Sequence, residues 1–397
     1  MGNIMKLFFC TLVIVISIPL FAGTKTFIRE YTYTAGEADS KITSRAIALD
    51  QVKRILLEEI GVYLQSEMTT IKEEKNKVYN ELTKQQIQSI TAGITETKIV
   101  VENWNGEKYY IKASISVDPD EVNKNIARIG ADQSKLKELE DVKRIADDAF
   151  AEIERLRKEL ASTKSENDKL TKQKEYIAAS NTLSASDLFQ RGYSADELKD
   201  YGNAVLYFQK AIELKPDYAD AYNNRGVAKN MLEDYQGAIA DFTKTIELRP
   251  DDAYAYNNRG NAKSDLKDYQ GAITDYTRAI KLRPDDADAY YNRGVVKGML
   301  EDRYGAIVDH TKAIRLKPDF AESYYSRGIS KDQLKDYHGA IGDYTQAIRL
   351  RPNFSDAYYL RGIAYIGLDQ KSKALADFMR AIELGEHVPQ EALDMCK

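Results

Sequence analysis

The sequence has few of the residue types from which catalytic and metal sites are usually built. Its 397 residues include two cysteines, three histidines and one tryptophan. The histidines, His310, His338 and His387, lie in different segments and have no cysteine partner at metal-ligand spacing. Glycine loops of the phosphate-binding type are also absent from the sequence. These absences predict a protein that is not an enzyme and that uses neither metal nor cofactor.

An excess of charge of either sign is missing as well. The chain has 57 Lys and Arg residues against 62 Asp and Glu residues, a formal net charge of -5. A basic stripe for nucleic acid is therefore not expected, and no nucleic-acid partner is predicted. With 43% apolar and 30% charged residues, the composition is typical of a soluble protein with several domains.

Long apolar runs are also missing, apart from one near the amino terminus. Residues 7–22 follow Lys6, are almost entirely apolar and end in "PLFAG". This run is short for a membrane span and is typical of a secretory signal. We therefore predict a signal peptide over 1–22 and export of the chain, with an uncleaved membrane anchor as the alternative. Cleavage would remove Cys10 and leave Cys396 as a single thiol, so no internal disulfide is expected.

Proline is scarce, but five of the eight prolines recur at an interval of 34 residues. They are Pro216, Pro250, Pro284, Pro318 and Pro352. The same interval orders a glycine column: Gly192, Gly226, Gly260, Gly294, Gly328 and Gly362. Twelve residues after each glycine comes an alanine: Ala204, Ala238, Ala272, Ala306, Ala340 and Ala374. Four residues further on lies a column that is aromatic except in the fourth block: Phe208, Phe242, Tyr276, His310, Tyr344 and Phe378.

This spacing of small, aromatic and proline residues resembles the tetratricopeptide repeat (TPR) family. Small residues let two helices approach, aromatic residues fill the space between neighbouring repeats, and proline ends the second helix. The resemblance implies six helix pairs over 185–388, stacked as an α-solenoid and followed by a tail over 389–397. His310 occupies the aromatic column, so we expect it in the core and not as a ligand.

Two charged columns follow the same interval. An arginine precedes each glycine of the glycine column, and in five blocks an aspartate stands 16 residues after that arginine. Because a half-buried guanidinium needs a carboxylate, we predict a ladder of Arg–Asp bridges between helices. A direct contact of these arginines with a ligand is the alternative.

In the TPR family the first helix of each pair lines a concave groove, and the resemblance extends this role to certain residues here. By alignment the partner-binding residues are Asn223, Asn257, Asn261, Tyr254, Tyr291, Tyr325 and Tyr359. Glu322 and Ser326 stand where a clamp for a carboxylate terminus needs Lys and Arg, so such capture is not expected. An extended peptide or a partner helix is the predicted ligand. Its backbone would bond to asparagine amides that packing does not otherwise require.

The region 24–117 has the pattern of a small α+β domain. "TFIREYTY" alternates as a strand does, and a helix capped by Asp39 or Ser40 follows. Its apolar stripe comprises Ile42, Ala46, Leu49, Leu56, Ile60 and Leu64. A second helix is predicted over 77–91. Two strands then flank Asn105-Gly106, which predicts a type I′ hairpin. The apolar face of the last strand would comprise Tyr109, Ile111, Ala113, Ile115 and Val117.

These segments, above all "SRAIALDQVKRILLEEIGVYLQSE" and the hairpin ending in "KYYIKASISV", resemble the amino-terminal domain of flagellar assembly protein T and related exported envelope proteins. The resemblance implies a bacterial, periplasmic or envelope-associated setting. It supplies no catalytic residues. An unrelated α+β domain is the alternative.

Asp118-Pro119 begins a helix that we predict to continue to residue 178 as a coiled-coil stalk. Apolar residues repeat in heptads over 139–177, and flanking charges such as Glu152 and Arg157 are placed to pair between parallel chains. A parallel homodimer through 139–177 is therefore predicted, with Asn167 fixing its register. Residues 179–186 are small and polar and are expected to form a linker. A helix that packs on its own chain is the alternative.

The resulting fold class is mostly α: an α-solenoid of six TPR pairs, preceded by the small α+β domain and the coiled-coil helix. We predict an exported, non-enzymatic scaffold that binds a protein or peptide in the groove. Two alternatives stay open at this point. One is an envelope enzyme or carbohydrate-binding protein with its site in the α+β domain, and the other is a structural spacer.

Overall fold

The computed structural model describes residues 24–36, 39–68, 84–163 and 165–396. The predicted signal peptide, 1–22, lies outside these residues. The chain divides into two compact units, Met1–Ala228 and Lys229–Lys397. Within the described residues the chain is mostly helical and forms a repeat solenoid with a small three-stranded sheet, so the predicted fold class is confirmed.

The first unit begins with an antiparallel sheet whose strand order is β1-β3-β2, where β1 is Lys25–Thr34, β2 is Lys98–Trp104 and β3 is Lys108–Val117. The alternating face predicted for β3 is confirmed, because its five side chains are at most 2% exposed. The hairpin turn differs from the prediction. Asn105 pairs with Lys108, so the loop is Gly106-Glu107, and the positive φ of +94° belongs to Gly106 alone. A glycine first in a two-residue loop is typical of a type II′ turn.

Two helices of this unit, α1 (Lys41–Met68) and α2 (Lys84–Ile94), follow the apolar patterns only in part. The Ser40 hydroxyl accepts a hydrogen bond from the Thr43 backbone N–H at 3.2 Å, as expected of a cap. Most of the predicted stripe of α1 is buried, but Ile42 is 71% exposed, so its assignment to the core is wrong. The helix predicted over 77–91 is observed from Lys84, and 77–83 lie outside the described residues.

The predicted stalk is a helical hairpin instead of one continuous rod. It consists of α3 (Pro119–Ala131), α4 (Gln133–Ser162) and α5 (Glu166–Glu197), with α4 packed against α5. Ser165 caps α5 by accepting from the Asp168 backbone N–H, and this capping signal was missed in the sequence. The heptad columns of α4 are buried in their own chain: Leu139, Val142, Ile153, Leu156 and Leu160.

These observations bear on two predictions. The apolar column residues of α4 face the interior of the same chain, whereas Leu170 and Ile177 of α5, from the same predicted columns, are 58% and 46% exposed. The parallel homodimer stays a prediction. The predicted linker, 179–186, is part of α5, where Leu183 and Ala185 are at most 3% exposed. A run of small residues had suggested a joint, but small side chains also allow close helix packing, and that use applies here.

The first unit ends with α6 (Tyr201–Leu214), which packs on α5 as the second helix of the first repeat, and with α7 (Ala219–Met231), within which the two units divide. The second unit contains α8 (Tyr235–Leu248), α9 (Ala253–Asp265), α10 (Tyr269–Leu282), α11 (Ala287–Met299), α12 (Arg303–Leu316), α13 (Ala321–Gln333), α14 (Tyr337–Leu350), α15 (Ser355–Gly367), α16 (Lys371–Glu383) and α17 (Gln390–Asp394).

The last helix, α17, replaces the predicted tail over 389–397. Val388 and Ala392 are at most 8% exposed and pack against Ala374, Phe378 and Ala381 of α16. The segment after the sixth repeat therefore covers part of that repeat's apolar surface.

Candidate protein-binding face of the repeats

Every repeat of the second unit contains the predicted bridge between its two helices. Arg259 donates from Nε and Nη2 to both carboxylate oxygens of Asp275, at 2.9 and 2.7 Å. The equivalent pairs in the later repeats have the same two-point geometry: Arg293–Asp309, Arg327–Asp343 and Arg361–Asp377. The aspartates are 2–6% exposed. Two parallel charge-assisted bonds fix orientation as well as distance, so the bridges hold each helix pair in one arrangement.

The same arginines also bind the preceding repeat. Arg293 donates from Nη1 to the Thr277 hydroxyl at 3.1 Å, and Arg327 donates likewise to Thr311 at 3.0 Å. A lysine one turn after three of these arginines, such as Lys297, bonds to the same aspartate, at 2.7 Å for Asp309. The guanidinium thus joins three helices of two repeats. Its donors are largely used inside the protein, which supports the structural assignment over the ligand alternative.

The glycine column lies against the aromatic column of the same repeat. A methyl group placed on Gly328 would lie 2.6 Å from Tyr344, and one on Gly362 would lie 2.5 Å from Phe378. The aromatic residues therefore fill the space between the two helices of one repeat. Tyr276 and Tyr344 also pack with Val296 and Ala364 of the following repeats, in agreement with the predicted role between neighbouring repeats. His310 is 1% exposed in this column, as predicted, and burial lowers its pKa to about 4.

The first helices of successive repeats contact one another directly, α9 with α11, α11 with α13 and α13 with α15. We call the surface formed by these four helices the inner face. Its residues correspond by alignment to positions that the family resemblance assigns to a groove. The Arg–Asp bridges fix the helices on which these residues lie.

Two of the predicted asparagines are joined in a network on the inner face. Asn292 donates from its amide to the side-chain oxygens of Asn257 at 3.3 Å and Asn261 at 3.1 Å. The Tyr276 hydroxyl donates to the same Asn261 oxygen at 2.9 Å. The expectation that packing does not require these amides is therefore wrong, because they link α9 to α10 and α11. Asn223 lies in the other unit, half-buried on α7.

The predicted tyrosines form two groups. Tyr291, Tyr325 and Tyr359 are half-buried and lie close to aromatic rings of their own repeats, and the first two also approach Phe320 and Phe354 at 4.9 and 4.7 Å between ring centroids. Burial, with Asp356 and Glu386 nearby, raises the pKa of Tyr325 to about 12. Tyr254 differs from these three, because it is 45% exposed and its ring is covered on one side by the Arg283 guanidinium at 3.7 Å.

One contact in the first unit was not predicted. Asn224, which resembles the clamp asparagine of the family, donates its amide to the Glu138 carboxyl of α4. Burial raises the pKa of Glu138 to about 8, and Asp220 and Asp196 add to this effect, while the Asn224 amide opposes it. No local pattern predicts this contact, because Asn224 and Glu138 lie 86 positions apart in the sequence.

Among the described residues, no cluster of His, Cys, Asp and Glu has a geometry suited to a metal ion. His338 and His387 are exposed, and Cys396 is partly buried near the end of the chain. Within the same residues, no helix is both long enough and apolar enough to span a bilayer.

Comparison with known proteins agrees with this geometry. Models described as tetratricopeptide repeat match residues 219–252 and 355–385, and a model described as TPR repeat matches 197–232, 261–300 and 333–369. The chain contains tetratricopeptide repeats. No curated protein matches it.

Solved structures similar to this chain include MamA, at 27% identity and a TM-score of 0.40, over 43% of this chain and 98% of that one. YrrB, described as a TPR protein with an unusual peptide-binding site, is 25% identical with a TM-score of 0.41, over 47% of this chain and 96% of that one. PilF of Pseudomonas aeruginosa is 17% identical with a TM-score of 0.48, over 54% and 96% of the two chains.

Proposed function

We propose that this protein is a non-enzymatic scaffold that binds a peptide segment or helix of a partner protein on the inner face of its repeats. The supporting observation is the row of tyrosine and asparagine side chains that recurs along α9, α11, α13 and α15. Tyrosine is enriched in protein interfaces because it offers a large apolar ring and a hydroxyl at low entropic cost. Rigid helices joined by Arg–Asp bridges would present this row without reorganisation.

Tyr254 is the best position at which to test this proposal. The alanine variants of Asn257 and Asn261 would also break the amide network, so lost binding could reflect lost structure. The Tyr254 ring is 45% exposed and its mapped contact is with Arg283. Tyr304, on the second helix α12, is 74% exposed and provides a matched control away from the inner face.

The experiment compares Tyr254→Ala and Tyr304→Ala with the wild-type chain in crosslinking to proteins of the native envelope fraction, followed by titration with the captured partner. We expect Tyr304→Ala to bind as the wild type does and Tyr254→Ala to bind about tenfold or more weakly, as an interface tyrosine would. Equal affinity of all three proteins contradicts binding at this part of the inner face.

Export is part of the proposal and rests on the apolar run 7–22. The mature protein should begin near Gly23, which mass spectrometry of protein from the native host can check. Protein that retains Met1 and stays in the cytosol contradicts export. A role related to flagellar assembly protein T for residues 24–117 also stays a proposal, supported by the sequence pattern. The enzyme or carbohydrate-binding alternative and the spacer alternative stay predictions.

A further inference from the structure

The first unit contains a cavity of about 870 Å³ that the repeats' inner face does not include. It lies among α1, α2, α4, α5 and α6, and we call it the amino-terminal cavity. Its size falls within the range of sites for small molecules, roughly 300–1,000 Å³. A second binding site of this size is of interest because the proposed scaffold function does not use it.

The walls of the amino-terminal cavity combine apolar side chains with charged and polar ones. Leu49 and Leu57 of α1, Ala92 of α2 and Leu183 and Leu188 of α5 all line it. Ile42, 71% exposed, also lines the cavity. An exposed isoleucine and leucine-lined walls would gain from contact with an apolar ligand, because such contact removes their surface from water.

The charged residues of the lining are mostly paired. Arg54 bonds to Asp50 at 2.6 Å and to Asp147 at 2.5 Å. Lys53 bonds to Asp187 at 2.7 Å and to the Gln190 side chain at 2.8 Å, and Arg191 also bonds to Asp187. Three carboxylates of the lining are thereby neutralised by neighbouring cations and do not repel an anion strongly.

Lys143 of α4 is bonded differently from Lys53, Arg54 and Arg191. Among the described residues its ammonium bonds to the Gln88 side-chain oxygen at 3.2 Å and forms no ion pair within 4 Å. A half-buried ammonium that bonds to a neutral amide keeps donors and charge available for an anion. The same burial lowers the pKa of Lys143, and an anionic ligand would oppose that effect.

We propose that the amino-terminal cavity binds a small amphiphile that has an apolar body and one anionic head group. The head group bonds to Lys143, and the body lies against the leucines of α1 and α5. A charge-assisted hydrogen bond in a partly desolvated site gives the preference for an anionic over a cationic head.

The probe is dodecanoate, below its micelle concentration, titrated calorimetrically into the full-length chain. Dodecyltrimethylammonium, which has the same tail and the opposite charge, tests the head group. Lys143→Met removes the ammonium and keeps the aliphatic stem. Lys158→Met is the matched control, because Lys158 is an exposed lysine of the same helix.

We expect saturable binding of one dodecanoate per chain, weakened about tenfold or more by Lys143→Met and changed less than twofold by Lys158→Met. The cationic probe should bind the wild type more weakly than dodecanoate does. Ala146→Trp, which places a large ring in the lining, should weaken both probes while circular dichroism stays unchanged. Absence of saturable binding, equal affinity in Lys143→Met, or unchanged affinity in a folded Ala146→Trp protein would each overturn the proposal.

Discussion

Arg327 and Asp343 form a two-point bridge, with Nε and Nη2 of the arginine at 2.9 and 2.6 Å from the two carboxylate oxygens. The third guanidinium nitrogen reaches Thr311 of the preceding repeat. One side chain therefore fixes both the angle within a helix pair and the contact between pairs. Because the bridge recurs, the arginine column determines how the inner face is presented.

Loss of one bridge should destabilise the repeats measurably. Arg259→Ala removes three hydrogen bonds, but Asp275 keeps its bond to Lys263 at 2.7 Å and is not left fully unpaired. We expect the free energy of unfolding to fall by about 2 kcal/mol, less than for a wholly stranded buried charge. The urea midpoint gives the measurement. Arg380→Ala, which removes an exposed pair with Glu383, should leave the midpoint unchanged, and equal shifts would refute a special role for the bridge.

The glycine column should tolerate no side chain where it meets an aromatic ring. Gly328→Ala places a methyl group 2.6 Å from the Tyr344 ring, so the ring or helix α13 must move. We expect a loss of about 1–3 kcal/mol and a lower melting temperature.

Gly342 provides the control for this change. It lies in the neighbouring helix α14, and a methyl group there meets nothing within 4 Å. Gly342→Ala should raise the stability by about 0.5–1 kcal/mol, because alanine favours the helix. A melting temperature that falls equally in both variants would show that the ring contact is not the cause.

His310 should make the fourth repeat sensitive to acid. Its pKa, about 4, lies below the ordinary value of 6.5 because the folded state buries the neutral ring. The unfolded state therefore binds more protons between pH 6.5 and 4, and stability falls as the pH falls through that window. His310→Phe should remove on the order of 2 kcal/mol of this pH dependence. The substitution also removes a buried Nδ1 atom that has no hydrogen-bond partner among the described residues. It introduces an apolar ring of the kind that other repeats have at this position.

Hydrogen exchange of α12 at pH 4.5 and 7 measures this effect locally. The wild type should exchange faster at the lower pH once the intrinsic pH dependence is removed, and His310→Phe should not. An equal response of both proteins contradicts the assignment to His310.

Glu138 should give the opposite pH dependence. Its pKa is raised from 4.5 to about 8, so the folded state retains a proton that the unfolded state releases. Stability therefore falls as the pH rises through this window and levels off above pH 8. Asp196, whose pKa burial raises to about 6, contributes mainly below that value, so pH 6–8 isolates Glu138.

Glu138→Gln should flatten the stability profile between pH 6 and 8 by about 1–2 kcal/mol, since an amide does not titrate. Thermal unfolding across that range provides the measurement. Glu166→Gln, at an exposed position on α5, serves as the control and should keep the wild-type slope. If Glu138→Gln keeps it too, the carboxyl does not titrate as stated.

The sequence by itself determined the repeats, because their physics is local and recurs. A glycine that must admit an aromatic ring, a proline that ends a helix, and an arginine 16 residues before its aspartate each act within one helix pair. The same holds for the alternating face of β3, where a period of two separates the buried side chains from the exposed ones. Such signals need no knowledge of distant contacts.

The tertiary structure alone decided the hairpin of α4 and α5 and the role of the inner-face amides. A heptad of Leu139, Val142 and Ile153 requires an apolar partner but does not say which, and here the partner is the same chain. Asn257 and Asn261 bond to residues 15 to 35 positions away. The local sequence around each asparagine therefore does not show that its amide has hydrogen-bond partners. Burial, pairing and cavity formation depend on which helices meet, and that information is not present in any one segment.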